Sequence, residues 1–224
     1  MSETALRAAL YAEVIAFMRQ RHPDLIDAAY DYFWEEEYPE DFLHGMPLEL
    51  GFFNFEDWLI CDWRIPEDGG NDSSALRFSR TGVTDLCLEE TGQGGDREKS
   101  EAFGALKRSF ISLYEAKTAE GGSAVLDDVF SGRTYTFTKV PFEGLSAGSL
   151  FAARVVEFGG GKNVMGGCIY PFPSSMRQVV LDSVGRQFAR YKKNKNPEGS
   201  LPDFLKDESY IFNTIWTNNL YRRS

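Results

Sequence analysis

Cysteine, histidine and long apolar runs are all scarce in this chain. The three cysteines, Cys61, Cys87 and Cys168, stand far apart with no C-x-x-C, and an odd, dispersed set is a poor disulfide framework. They are expected to be reduced and buried. Two histidines, His22 and His44, cannot build a three-histidine zinc site, and neither stands in an H-x-x-x-H or H-E-x-x-H pattern. With no run of about eighteen apolar residues, no membrane-spanning helix is expected. The first residues, Met1-Ser2-Glu3-Thr4-Ala5, are acidic where a signal peptide is basic, which reads as a cytoplasmic protein. Residues 91–96 are glycine-rich but have no Lys-Ser/Thr pair, so they are not a phosphate-binding P-loop.

Basic residues are scarce at one end. Residues 1–68 hold 16 Asp plus Glu against 4 Lys plus Arg, a balance of −12, while residues 69–224 hold 18 against 20, or +2. The whole chain carries −10, which argues against general nucleic-acid binding. What the chain has in abundance is apolar and aromatic residues, 42% and 14% of its 224. That content suits a globular protein with a sizeable core.

The densest apolar stretch is Phe52-Phe53-Asn54-Phe55-Glu56-Asp57-Trp58-Leu59-Ile60-Cys61-Asp62-Trp63-Arg64. At about 100° per residue, Phe52, Phe55, Leu59 and Trp63 share a helical face flanked by Phe53 and Ile60, with Asn54, Asp57, Asp62 and Arg64 opposite. The helix is expected to start near Asn54, a residue suited to an N-cap, and to stop before Pro66. Glu56 then projects into the apolar arc. A carboxylate in aromatic surroundings is a candidate for acid–base work, although a partly open first turn accounts for it more simply.

Upstream, Leu6, Ala9, Leu10, Val14, Phe17 and Met18 mark a helix over Glu3–Arg21, and Pro23 opens another over residues 24–37. The acids of residues 35–41, with His44 nearby, suggest a hard cation, but consecutive acids fan around a helix, and a solvated acidic end is expected. Residues 66–74 read as loop, 75–80 and 83–90 as short helices, and 97–117 as one long helix carrying Phe103, Leu106, Phe110, Leu113 and Tyr114.

Beyond Gly121-Gly122 the pattern turns to strand. Residues 125–130 and 133–140 flank Ser131-Gly132 as a hairpin with a two-residue turn, and residues 149–158 and 164–170 supply two more strands. Asp127 and Asp128, being adjacent, face opposite sides of a sheet. The turn Gly159-Gly160-Gly161-Lys162 is expected to be a hairpin tip rather than an anion-binding loop. A helix then runs from Ser174 to about Tyr191, basic at its far end through Arg186, Arg190, Lys192, Lys193 and Lys195, and a last helix spans residues 202–222. The expected fold is α+β: a helical layer on a small four-stranded antiparallel sheet or partly closed barrel, with two C-terminal helices. Residues 1–224 are expected to form one unit, mainly helical over 1–118, β over 119–173 and helical again over 174–224.

Four segments carry a family resemblance: Phe55-x-x-Trp58-Leu59-x-x-Asp62-Trp63-Arg64-Ile65-Pro66, Ser109-Phe110-x-x-Leu113-Tyr114-Glu115, the run from Leu126 to Phe137, and Gly148-Ser149-Leu150-Phe151-Ala152-Ala153-Arg154-Val155-Val156. Their order over residues 52–173 resembles a group of bacterial proteins that often carry a C-terminal SEC-C zinc motif. The clustered cysteines and Cys-His end of that motif have no counterpart here. The resemblance implies a helical layer joined to a small β module, and it directs attention to Asp62, Asp127 and Arg154, whose simplest roles are helix exit, turn support and surface pairing. It implies no reaction.

No nucleophile–base pair or metal-ligand spacing emerges, and no cofactor is expected. The leading expectation is a cytoplasmic, non-enzymatic binding or adaptor protein holding a protein or peptide partner on the β module or in a groove beside it. A carboxylate-based or metal-assisted hydrolase using Glu56 and Asp62, and a weak nucleic-acid binder through residues 186–195, are the alternatives.

Overall fold

Leu10, Val14, Phe17 and Met18 recur at helical spacing and lie buried along α1 (Glu3–Arg21), whose last turn carries Arg19 and Arg21, the sign a helix C-terminus favours. The computed structural model describes residues 3–67, 78–92, 97–140, 144–159 and 161–221. The chain divides into two compact units, Met1–Ser109 with Val156–Gly160, and Phe110–Val155 with Gly161–Ser224.

In the first unit, α1 is followed by α2 (Pro23–Phe33), the short α3 (Pro39–Phe42) and α4 (Met46–Cys61). Strands β1 (Arg64–Pro66) and β2 (Phe78–Gly82) then pair antiparallel, and α5 (Val83–Thr91) and α6 (Arg97–Arg108) complete the unit. Helix α4 touches α1, α2, α3 and α5, so it is the element the others gather around. Two ion pairs tie down α6: Lys99 Nζ lies 2.9 Å from Glu13 of α1, and Lys107 Nζ lies 2.5 Å from Asp85 of α5.

Several expectations change here. Helix α4 starts at Met46, eight residues before Asn54; Gly45 is its N-cap and Pro47 occupies the first turn, where a missing N–H costs nothing. Helix α2 ends at Phe33 rather than running to 37. Its exit is a Schellman turn, with the Glu36 N–H donating to Asp31 O at 2.8 Å, and it forces Glu35 and Glu36 to φ of 56° and 64°. Non-glycine residues there store about 1–2 kcal/mol of strain each. The short helix expected over 75–80 is partly outside the described residues, and Phe78, Ser79 and Arg80 lie in β2 instead. The helix expected over 83–90 is α5.

The second unit is built on a five-stranded antiparallel sheet, not four-stranded, in the order β5-β4-β3-β6-β7. Its strands are β3 (Ile111–Glu120), β4 (Ser123–Asp128), β5 (Thr134–Phe137), β6 (Leu150–Phe158) and β7 (Lys162–Phe172). The sheet is not closed into a barrel: edge strands β5 and β7 approach one another, but no ladder joins them among the described residues. The added strand is β3, the middle of the sheet, where the sequence pattern suggested the second half of a long helix. Ile111, Ser112, Leu113 and Tyr114 are all buried, so the strand has no polar face to produce alternation, and Phe110, Leu113 and Tyr114 imitate helical spacing. Helix α6 ends at Arg108, after the basic pair Lys107-Arg108, with Ser109 Oγ donating to Leu106 O at 2.6 Å.

The β4–β5 hairpin has a longer loop than two residues. Asp127 pairs with Thr134, Asp128 N–H donates to Arg133 O, and Gly132 adopts φ 70°. Asp128 Oδ1 accepts from the N–H groups of Phe130 and Ser131 at 2.9 and 3.1 Å, an Asx turn that holds the loop.

After a 3-10 turn at Ser174–Met176 come α7 (Arg177–Asn194), α8 (Leu201–Asp207) and α9 (Ile211–Tyr221). The expected last helix is thus two, broken at residues 208–210. Helix α8 lies against β3 and α9 against β7, where Tyr170 meets Trp216 edge-on at 5.8 Å and Phe212 at 6.4 Å.

Candidate binding surface

Helix α4 has two differently used sides. Its inner side carries Gly51, Phe55, Trp58 and Leu59 into an aromatic cluster. Trp58 lies 5.0 Å from both Phe33 and Trp63 and stacks on Tyr32 at 6.0 Å with a 6° interplanar angle. Gly51 is the close approach: a Cβ there would stand 3.0 Å from Trp34 Cη2 and 3.4 Å from Leu43 Cδ1. Asn54 and Asp57, expected to face water, are fully buried on this helix. The reason lies 46 residues upstream, where the Tyr11 hydroxyl of α1 donates to Asp57 Oδ1 at 2.6 Å and also touches Cys61 Sγ at 3.3 Å. A buried carboxylate is tolerable when it is hydrogen-bonded in this way.

The outer side is apolar as well. Met46, Glu49, Phe52, Phe53 and Glu56 fall within about 120° of the helix circumference. Met46 is 72% exposed, Phe53 58% and Phe52 37%, and Tyr38, just before α3, is 65% exposed. These four and Val179 are the exposed large hydrophobics among the described residues, so four of five belong to α3–α4 and its approach. Acids stand along the same stripe. Glu49 is exposed, and Glu56 meets Arg19 of α1 at 3.3 Å in a solvent-facing pair. The short helix leading into Met46 adds Glu40 and Asp41, and Glu40 accepts from the Tyr30 hydroxyl at 3.3 Å. Burial, with the Glu40 carboxylate beside it, pushes the Tyr30 phenol well up from its ordinary value.

The sequence-derived candidates do not come together. Glu56 is on the outer face of α4, in its third turn and not at an open start. Asp62 is the C-cap of that helix, its N–H donating to Trp58 O. Asp127 lies at a sheet surface, accepting from Lys117 at 2.6 Å and from the Thr134 hydroxyl at 2.6 Å, and these two hydrogen bonds hold its carboxyl below the usual range. Turn support falls to its neighbour Asp128. Arg154, expected at a surface, is fully buried in β6, opposite Ile111 of β3. The signal for this was its setting: Arg154 is the one charged residue within the continuously buried run Leu150–Val156 of the strand. Nearby, burial and then the Asp128 carboxylate push the Tyr114 phenol well above its ordinary value.

The three cysteines are buried thiols and not disulfide-bonded to one another, and burial plus the Glu13 carboxylate push the Cys87 thiol up to about 11. Among the described residues no three His, Cys, Asp or Glu side chains are grouped as a metal site. No described helix is long and apolar enough to cross a membrane. In α7, Arg186, Arg190, Lys192 and Lys193 are exposed, whereas Arg177 meets Glu115 at 3.4 Å and Lys195 pairs with Glu208.

Sequence reasoning missed the outer stripe because it placed Phe52 and Phe53 with the inner face. The signal was present: three phenylalanines within four residues fan over about 160° of the helix circumference, wider than a buried stripe of about 100°, so one narrow face does not hold them all.

No curated protein and no solved structure matches this chain. A family model matches residues 56–202, more than half of the chain, and on it the protein belongs to the Family of unknown function (DUF7986).

Proposed function

We propose that this is a cytoplasmic, non-enzymatic binding or adaptor protein that holds a protein partner on the outer face of α4. The observation that carries the reading is the exposure of Met46, Phe52 and Phe53 on a helix whose opposite side is already filled by aromatic packing. Water is a poor neighbour for such a stripe, and contiguous exposed apolar side chains on a folded protein mark interaction sites. Methionine and phenylalanine suit the task, one adapting its shape and the other bringing large area at small entropic cost. Three buried cysteines held as thiols are consistent with a reducing compartment.

The test uses the immobilised chain beside a Met46→Ser/Phe53→Ser variant. A partner retained by the first and lost by the second, and rebinding as a purified protein, is the expected result. Identical sets retained by both would remove α4 as the site. A second reading, weak nucleic-acid binding, is favoured by the exposed cations along α7. It predicts binding to mixed RNA and DNA that falls steeply with salt and is reduced by Arg186→Gln/Arg190→Gln.

A further inference from the structure

We infer that the occupant of the α4 face is an amphipathic helical segment of a partner protein, with Lys or Arg flanking its apolar stripe. This rests on the reading of that face as a binding surface and adds the partner's chemistry to it. Met46 and Phe53 are seven residues apart and so stand one above the other, separated by about 10 Å along the helix axis. Glu49 and Glu56 repeat the same seven-residue step about 60° round the helix from that pair, between it and Phe52. Two apolar anchors and two carboxylates at a common repeat are met by a facing helix that offers apolar residues at i and i+7 and cations at the flank, the helix-in-groove mode of recognition.

The charge of the surroundings points the same way. Residues 1–68 carry −12, and all four of their cations are arginines. One of these, Arg19, is already engaged by Glu56. A field of that sign steers a cationic segment in and repels nucleic acid and anionic lipid. It also opposes a second copy, because a two-fold contact through this face would set its carboxylates against themselves.

The experiment measures fluorescence anisotropy of three labelled helical peptides with the same leucine stripe, flanked by Lys, Gln or Glu. The Leu/Lys peptide is expected to bind at least about tenfold more tightly than the Leu/Gln peptide, and the Leu/Glu peptide not at all. Met46→Ser/Phe53→Ser should weaken Leu/Lys binding about tenfold or more, as loss of apolar anchors does. Glu49→Gln/Glu56→Gln should weaken it about fivefold and flatten its salt dependence. Equal binding of the Lys and Gln peptides, both lost in Met46→Ser/Phe53→Ser, overturns the charge assignment while leaving α4 as a binding surface. Leu/Lys binding unchanged by Met46→Ser/Phe53→Ser overturns the proposal by placing the contact elsewhere. If no peptide binds, and the chain instead dimerises or sediments with phosphatidylcholine vesicles in a Phe53-dependent way, the occupant is another copy or a lipid surface and the proposal fails. Absence of all of these sinks the binding surface itself.

Discussion

The two units solve burial in opposite ways. In the first, large rings pack around α4 and there are more of them than the core accepts: Phe55 and Trp58 are inside, while Phe52, Phe53 and Met46 remain in water. In the second, the middle strands β3 and β6 are closed on both faces by small and branched side chains such as Ile111, Leu113, Ala152, Ala153 and Val155, and even Arg154 is enclosed. Val179 is the single exposed large hydrophobic there among the described residues. The lesson is that apolar surplus, and not apolar content, locates a candidate interface. Both units are rich in hydrophobic residues, and one leaves a coherent stripe uncovered.

The largest effects should come from the two interiors, for different reasons. Phe55→Ala removes a ring that meets Tyr30 edge-on at 5.2 Å and Phe33 at 5.6 Å, and should cost about 3–5 kcal/mol through lost transfer energy and a cavity. Arg154→Ala should cost a similar amount, roughly 3–5 kcal/mol, because the groups that satisfy a fully buried guanidinium are left facing a void. Urea midpoints measure both. An Arg154→Ala change of only a few tenths of a kcal/mol would mean that the second unit tolerates a hole at its centre, and the contrast in core construction would fail.

A pair of glycines sharpens the comparison by sign. Gly51 of α4 is wedged beneath Trp34, so Gly51→Ala gains helix propensity but must displace an indole, and should destabilise by about 1 kcal/mol. Gly185 of α7 has open space where its Cβ would be, so Gly185→Ala should stabilise by roughly 0.5–1 kcal/mol. Thermal midpoints moving in the same direction for both would show that packing around α4 is looser than the ring geometry implies.

These contrasts also explain what was legible in the sequence. Helix α1 was readable because one side of it is buried and the other wet, which is what periodicity detects. Strand β3 was not, because burial on both faces erases alternation and Leu113-Tyr114 fits a helical template equally well. The inner polar residues of α4 were invisible for another reason: Asp57 goes inside because Tyr11 donates to it, and a partner 46 residues away leaves no mark on local pattern. The candidate face inherits that error. Once Asn54 and Asp57 are turned inward, the helix rotates relative to the expected orientation and carries Phe53 and Met46 out.

A smaller effect concerns the Lys107–Asp85 contact of the first unit. Burial alone pushes the Asp85 carboxyl up, but hydrogen bonds from Lys107 and the Gly82 N–H, with the charges of Lys107 and Arg64, outweigh it and hold the group below its usual range. A carboxyl whose folded value lies below its unfolded one, about 3.9, adds stability above that pH and loses it as pH falls through the folded value. Lys107→Met should therefore cost up to about 1 kcal/mol near neutral pH, discounted because both side chains are about a third exposed. Urea midpoints of parent and variant should converge as pH falls from about 6 to about 3. A gap that stays constant over that range would assign the loss to packing of the lysine stem rather than to charge.

The smallest expected effect bears most directly on the comparison. Met46→Ser/Phe53→Ser removes two large apolar side chains from the first unit, yet both are more exposed than buried, so the urea midpoint should move by no more than about 0.5 kcal/mol. In Phe55, two residues further along the same helix, a ring of the same size should cost several times that, so chemistry is held constant and only orientation differs. A cost above about 1 kcal/mol for the outer pair would mean that these side chains are used for folding, in which case the stripe is part of the core's edge and not a surface held open for a partner. A negligible cost, together with loss of binding, would mean that the chain keeps rings in water that its own stability does not require.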